Sequence, residues 1–181
     1  FIKKNLAIKS KNNDEIRLLF TMQGKQSGSI IEPLEDGLIA LIAKYDELIK
    51  KKGYKNFSCK IRIHPNEIET SQAYLKDRLK HLYFSPILKV TSKNNNCFYE
   101  DLIWSTHHLT CFSSCSIEAI LFKVNSAVYG SYAYEIYKEE IEDNILTFFQ
   151  KPSQFELIKW MTENKTTLDK DTTKFINDKL P

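Results

Sequence analysis

Apolar residues recur along most of this chain with the spacing of one face of an α-helix. The clearest case is residues 33–52, which begin at Pro33 and end before Gly53. Proline suits the first helical turn and glycine the position after the last one, so both ends of this predicted helix are marked. The same spacing predicts further helices over residues 65–84, residues 131–150, a segment opened by Pro152 and Ser153, and residues 168–180.

The segment from Cys97 to Asn125 reads as one long central helix. No Asp, Glu, Lys or Arg stands between Thr106 and Ile117, and Glu118 then stands alone among small and apolar residues. A helix that is apolar or small nearly all round is typical of one buried among other helices. A carboxylate there needs a partner or water, so Glu118 is predicted either to fix a junction between helices or to reach solvent at a helix end.

Together these elements predict an all-α fold, a helical bundle made of two small three-helix bundles that share the long central helix. Residues 1–32 are predicted to be an N-terminal segment, partly loop, with a short helix over residues 14–22. Residues 33–181 are predicted to be a helical domain that forms one compact unit with that segment. Residues 54–64 alternate briefly in polarity, but a lone strand has nothing to pair with, so a loop is predicted there.

The amino-acid composition limits the kinds of molecule and compartment that this chain is expected to meet. The 26 basic residues are interleaved with 23 acidic ones, for a net charge of +3, which describes a mixed, solvated surface without the basic stripe of a nucleic-acid-binding protein. The four cysteines occur without a secretory pattern, which favours a reducing compartment. No apolar run reaches the length of about 18 residues that spans a bilayer, so any membrane anchor is expected outside this sequence.

One group of residues has the spacing of metal ligands. His107, Cys111 and Cys115 are successive i, i+4 positions on the predicted central helix, and His108 is adjacent. Zinc or copper accepts such ligands, but no nearby Asp, Glu or second cysteine pair completes the set. Burial of Cys and His in tight helix packing is the preferred interpretation, so no metal is predicted.

Signatures of enzymes are missing from the sequence. It contains no Walker loop, no G-x-G-x-x-G and no H-E-x-x-H. Ser113, Ser114 and Ser116 lack the G-x-S-x-G turn that exposes a catalytic hydroxyl. We therefore predict no catalytic residues, no enzymatic activity and no cofactor.

The segment from Glu100 to Leu121 resembles the signature helix of the DotU/TssL family, called IcmH in type IVb systems. The end of that helix in the family, D-E-A-V-L, aligns with Ile117, Glu118 and the three residues that follow, with Ile117 in place of the family's Asp. The order of the flanking elements is also similar, from the amphipathic helix at residues 33–52 to the aromatic and acidic helix that ends at Phe148 and Phe149.

This resemblance implies a non-enzymatic structural component of a type VI secretion system. It would be the cytoplasmic domain of an inner-membrane protein, anchored by a segment outside this sequence, that links an IcmF/TssM-like membrane protein to the baseplate. A homodimer stays open. Interaction surfaces are enriched in aromatics, so Tyr129, Tyr134 and Tyr137 are predicted interaction residues, whereas Tyr132 is expected to pack inward. Glu118 is the fourth, as the lone carboxylate of the signature helix.

The alternative hypothesis is a soluble helical regulatory domain. In that case His107, Cys111 and Cys115 would bind a metal or sense thiol oxidation.

Overall fold

The described residues form an α/β fold built on a parallel sheet. The computed structural model describes residues 15–23, 56–66, 68–80 and 88–162. The strands are β1 (Glu15–Thr21), β2 (Asn56–Arg62), β3 (Leu88–Thr91), β4 (His107–Thr110), β5 (Asn125–Tyr129) and β6 (Thr147–Phe149). The helices are α1 (Ile68–Leu79), α2 (Phe98–Trp104), α3 (Cys115–Leu121), α4 (Ser131–Ile136), α5 (Lys138–Glu142) and α6 (Gln154–Thr162).

All six of these strands run parallel, in the spatial order β3-β2-β1-β4-β5-β6. The chain leaves β1 towards one side of the sheet and leaves β4 towards the other, so the direction of winding reverses between these two central strands. This is the 3-2-1-4-5-6 order of doubly wound α/β folds of the Rossmann type.

Both faces of the sheet are covered, and successive residues of the central strand point to opposite faces. Leu18 and Phe20 of β1 belong to a core that includes residues of α1 and α6, whereas Leu19 between them packs with Leu102 of α2 and Ala119 of α3. A third cluster lies between α3, α4 and α5 and contains Val128, Ile120, Ala133, Tyr137 and Leu146. Strands buried on both faces carry continuous apolar runs rather than alternation.

The predicted central helix over residues 97–125 is wrong, and with it the all-α fold class and the shared pair of bundles. That stretch contains α2, β4, α3 and part of β5. Helix α2 stops at the extended residue Ser105, whose backbone N–H donates to Asp101 and Leu102. A helix buried nearly all round and short strands buried on both faces have the same uncharged composition, which is why the pattern was misread.

Helix α3 ends without a glycine. Lys123 has φ 55°, in the left-handed region; its N–H donates to the carbonyl of Ile120 at 2.8 Å, and the N–H of Val124 donates to that of Ala119 at 2.9 Å. These two bonds form a Schellman motif. Because lysine occupies the position that glycine usually takes, the sequence carried no stop signal between α3 and β5.

Other segments that were predicted to be helix or loop also contain strands. Residues 15–21 are a strand where a short helix was predicted, and residues 56–62 are a strand where a loop was predicted. The predicted helix over residues 131–150 is α4, α5 and β6. The predicted helices over residues 33–52 and 168–180, and the boundary between residues 32 and 33, lie outside the described residues.

Candidate ligand-binding edge of the sheet

The carboxyl ends of the strands lie together at one edge of the sheet, which we call the carboxyl edge. It is formed by the strand ends at Thr21, Arg62, Thr91, Thr110 and Tyr129 and the residues that follow each of them. In open α/β sheets, ligands bind outside the carboxyl ends at the point where the winding reverses. Between β1 and β4 that geometry places a candidate site.

A polar row of side chains crosses the sheet at this edge. Thr91, Arg62, Thr21 and Thr110 are register partners on successive neighbouring strands, so their side chains point to the same face. Thr110 Oγ1 donates to the carbonyl oxygen of Thr21 at 3.0 Å. The row thus ties β1 to β4 at the place where a ligand would approach.

The buried His108 of β4 hydrogen-bonds one member of this row, Thr21. Its ring is fully buried, with Nε2 3.0 Å from Thr21 Oγ1 and Nδ1 2.9 Å from Ser126 Oγ. Burial lowers the pKa of His108 to about 3, so the ring is neutral at physiological pH. A neutral imidazole between two hydroxyls links β1, β4 and β5 and has no charge to offer a ligand.

A buried carboxylate organises the β2 side of the edge. Asp101 is 0% exposed and accepts hydrogen bonds from Lys60 Nζ at 2.9 Å, Arg62 Nη1 at 2.7 Å and Thr91 Oγ1 at 2.9 Å. Asn96 Nδ2 is a fourth donor to it. Two cations against one carboxylate leave one positive charge in excess. His64 follows β2 two residues after Arg62, half-buried, and its Nδ1 accepts from the Asn66 backbone N–H at 3.4 Å.

The loop after β4 is held by its own polar groups. Ser113 Oγ accepts from the Cys115 N–H at 3.3 Å, and its carbonyl accepts from the Ser116 N–H and hydroxyl at 3.0 Å each. Ser114 is exposed. Burial raises the pKa of the Cys115 thiol; the Ser113 hydrogen bond and the Arg62 charge partly offset this effect, and the Glu118 charge adds to it.

The loop after β5 contributes an unusual backbone and an exposed ring. Gly130 has φ 92° and ψ 148°, a conformation that is essentially restricted to glycine. Its N–H donates to the Phe149 carbonyl at 2.8 Å, joining the ends of β5 and β6. Two residues later Tyr132 is 61% exposed and meets the ring of Phe112 edge-on, with the centroids 5.3 Å apart.

The predicted interaction residues are dispersed in the structure. Tyr129 is 1% and Tyr137 7% exposed, Tyr134 is 37% exposed, and Glu118 is half-buried on α3. Their role in interactions stays a prediction. The expectation that Tyr132 packs inward is wrong, because its ring is largely in solvent.

Glu118 does contact a neighbouring helix. Burial raises the pKa of Glu118, and hydrogen bonding by Tyr99 of α2 partly offsets that effect. The Tyr99 ring also stacks on Phe122, with the centroids 5.6 Å apart. Glu118 therefore belongs to a contact between α2 and α3.

The residues predicted to bind metal in the alternative hypothesis do not share a helix face. His107 is in β4, Cys111 follows that strand and Cys115 begins α3. His107 packs edge-on against Trp160 and hydrogen-bonds Thr106, and burial lowers its pKa to about 4. Within the described part of the chain, no group of three His, Cys, Asp or Glu residues is placed to hold a metal ion. The structure gives the regulatory alternative no support.

Sequence reasoning missed most of this edge. The sequence indicates Ser113 and Ser114 only as possible nucleophiles, and it places Arg62 and His64 in a predicted loop. A usable signal was present in the polar residues that follow each short apolar run, as in T-C-F-S-S after β4 and R-I-H-P at the end of β2. Polar residues directly after buried strands are typical of the carboxyl edge of a parallel sheet.

Comparison with known proteins finds solved structures that have a similar fold. No protein-family model and no curated protein matches the sequence. The structure of the wall teichoic acid polymerase TagF matches with a TM-score of 0.55 and 14% identity, over 98% of this chain and 42% of that one. A variant of TagF matches with a TM-score of 0.55 and 16% identity over 97% of this chain, and the same variant soaked with CDPG matches with a TM-score of 0.54.

These likenesses, at 14–16% identity, establish the fold alone. The present chain spans 42% of the length of the solved chains that it matches. The polymerase and this chain share a Rossmann-like α/β architecture, which is incompatible with the helical bundle predicted from the sequence.

The comparison corrects the functional predictions as well. The resemblance to the DotU/TssL family is wrong, and so is the structural role in a type VI secretion system that it implied. The expectation of a non-enzymatic protein is overturned too, because the solved structures that the chain matches here are those of an enzyme, a wall teichoic acid polymerase. The IcmF/TssM-like and baseplate partners stay a prediction. The family resemblance on which that prediction rested is wrong. None of the described helices is long and apolar enough to cross a membrane.

Proposed function

We propose that this chain is the donor-binding domain of a transferase that uses a nucleotide-activated substrate, an enzyme of the general kind represented by TagF. The observation that carries the proposal is the polar carboxyl edge at the winding reversal between β1 and β4. Folds with this strand order bind nucleotide-containing ligands at that point. The likeness to a wall teichoic acid polymerase, one structure of which was soaked with CDPG, supports a transferase over other users of the fold.

The chemistry of the edge fits a phosphate-bearing ligand. Arg62 lies at the end of β2 with its charge only partly balanced by Asp101, which Lys60 also shares. The side chain of Arg62 is 12% exposed, so its field acts in a medium less polar than water and is less screened by salt. The exposed hydroxyl of Ser114, after β4, and the half-buried imidazole of His64, after β2, add hydrogen-bonding groups on either side of β1.

A dinucleotide cofactor fits less well. The dinucleotide-binding members of this fold class carry G-x-G-x-x-G directly after the first strand. Here the residues after β1 read M-Q-G-K-Q-S-G, which lacks that spacing. We therefore expect binding of a nucleoside diphosphate and not of NAD.

Calorimetric titration of the full 181-residue chain tests this directly. The ligands are CDP, UDP, GDP and ADP, with NAD as a comparison and inorganic pyrophosphate as a probe of the phosphate site alone. We expect one nucleoside diphosphate to bind with 1:1 stoichiometry and more tightly than NAD. Absence of binding at millimolar concentrations of every nucleoside diphosphate, by protein that circular dichroism shows to be folded, would refute the proposal.

Two substitutions that lower the net charge by one unit at different places test where the ligand binds. Ser114→Glu adds a carboxylate at the carboxyl edge, and Lys123→Gln makes the same change in net charge at the opposite end of α3. At about 8 Å and an effective dielectric constant of about 20, repulsion between unit charges costs about 2 kcal/mol, which corresponds to about a 30-fold weaker affinity. We expect that loss for Ser114→Glu and unchanged affinity for Lys123→Gln. Equal affinities in both variants would place the ligand elsewhere.

A further inference from the structure

The carboxyl edge carries an exposed aromatic ring that the phosphate chemistry does not explain. Tyr132 is 61% exposed, although it lies in the first turn of α4 directly after the end of β5. Its neighbours on this edge are hydroxyl-bearing: Ser131 precedes it and Ser114 lies on the adjacent loop, and both are exposed. Aromatic side chains placed in this way can serve as stacking platforms for nucleobases.

The ring of Tyr132 is held in place by its contact with Phe112. Phe112, in the loop after β4, is half-buried and contacts Tyr132 edge to face at 5.3 Å. The backbone of Phe112 is itself fixed, because the buried Tyr137 hydroxyl donates to its carbonyl oxygen at 3.1 Å. The exposed face of Tyr132 is therefore presented by a supported ring, which lowers the entropic cost of stacking another ring on it.

The backbone beside this ring is kept free of side-chain bulk. Gly130 adopts φ 92° and ψ 148°, where a Cβ atom is not tolerated. Gly130 is itself buried, and its N–H donates to the Phe149 carbonyl at 2.8 Å. This backbone therefore fixes the turn from β5 into the helix that carries Tyr132.

The cationic and aromatic ends of the edge are separated by a distance that suits one ligand. From β2, which carries Arg62, to β5, which leads to Tyr132, the sheet advances by three strand spacings. At about 4.8 Å each this is about 14 Å, comparable with the length of an extended nucleoside diphosphate. We propose that Tyr132, supported by Phe112, is the stacking platform for the nucleobase of the donor, with the phosphates directed towards Arg62. This inference rests on the proposed donor binding.

The test compares affinities for a complete nucleotide and for its phosphates alone. Tyr132→Ala removes the platform, Tyr132→Phe keeps the ring without its hydroxyl, and Ile136→Ala is a control on the same helix at a side chain that is 46% exposed. The titrants are CDP and UDP on the one hand and inorganic pyrophosphate on the other. Stacking of a base on an aromatic side chain accounts for about fivefold to 100-fold in affinity.

We expect Tyr132→Ala to bind the preferred nucleotide at least fivefold more weakly while its affinity for pyrophosphate stays within twofold of wild type. Tyr132→Phe and Ile136→Ala should bind both titrants as the wild type does. As a second readout, Tyr132→Trp should retain nucleotide affinity and show quenching of the new indole fluorescence by CDP but not by pyrophosphate.

Two results overturn the inference while leaving donor binding intact. One is wild-type nucleotide affinity in Tyr132→Ala, and the other is an equal loss for nucleotide and pyrophosphate, which would mean that Tyr132 supports the fold of the edge. Failure of the wild type to bind any nucleoside diphosphate is a different result. It would reject the proposed function and this inference together.

Discussion

Replacing Asp101 by Asn should destabilise the protein strongly, because the substitution breaks two buried ion pairs. The substitution keeps the shape of the side chain and removes a charge that is 0% exposed and is contacted by Lys60 and Arg62 at 2.9 and 2.7 Å. The side chains of both cations are close to fully buried, at 11% and 12% exposure, so water cannot replace the lost partner. Breaking a buried ion pair by removing one partner costs about 3–5 kcal/mol.

We place the expected loss near the lower end, at about 3 kcal/mol, because the Asn carbonyl oxygen can still accept one of the hydrogen bonds. The assay is urea unfolding followed by circular dichroism. With a urea dependence of about 2 kcal/mol per molar, the midpoint should fall by about 1.5 M. The matched control is Asp77→Asn, the same chemical change at an exposed position of α1, for which we expect a shift within about 0.5 kcal/mol.

A loss below about 1 kcal/mol for Asp101→Asn would refute this reasoning, since it would mean that the carboxylate behaves like a surface ion-pair partner. A double-mutant cycle adds a second criterion. Lys60→Met in the Asp101→Asn background should cost less than Lys60→Met alone, because the lysine has already lost its carboxylate. Additive effects of the two substitutions would contradict the contact geometry.

Three further predictions concern the backbone and the buried histidines. Lys123→Gly should raise the free energy of unfolding by up to about 1 kcal/mol, because glycine adopts the left-handed conformation without strain; an unchanged or lower urea midpoint would contradict this. Gly130→Ala should lower it by about 1–3 kcal/mol, since φ 92° with ψ 148° excludes a Cβ atom, whereas Ser131→Ala at the next, exposed position should be neutral. Burial lowers the pKa values of His107 and His108 from 6.5 to about 4 and about 3, so the unfolded chain binds more protons below pH 6.5. Stability is then complete above pH 6.5 and falls towards pH 4 by up to about 1.4 kcal/mol per pH unit for each ring; urea midpoints that do not change between pH 7.5 and 5 would refute that assignment.

The helical parts of the fold were partly accessible from the sequence. The apolar stripe within residues 65–84 does contain a helix, α1, because Leu75 and Leu79 are four residues apart and both face the core. The short strands were not accessible in the same way. Strand β4 has four residues and its buried set includes a histidine and a threonine, so neither length nor apolar alternation distinguished it from a helix.

The candidate site was hidden by the same misreading. If β4, α3 and β5 are read as one helix, the strand at residues 56–62 has no sheet to pair with, and a loop is predicted there. The pairing that it needed was with β1, whose run Leu18, Leu19 and Phe20 is buried on both faces. The polar residues at the strand ends acquire their meaning only from the sheet order, which no local pattern in the sequence specifies.

The position of β1 at the centre of the sheet has a consequence for how the chain is made. One of its partners, β2, starts 35 residues after β1 ends, and the other, β4, starts 86 residues after it. During synthesis at about 5–20 residues per second, the apolar centre of β1 is therefore complete several seconds before β4 can cover its second edge. Contacts between residues so far apart in sequence also slow folding. Until β4 is made, the unpaired edge of this apolar strand can pair with another chain, so the strand order itself creates an interval in which the nascent protein is prone to aggregate.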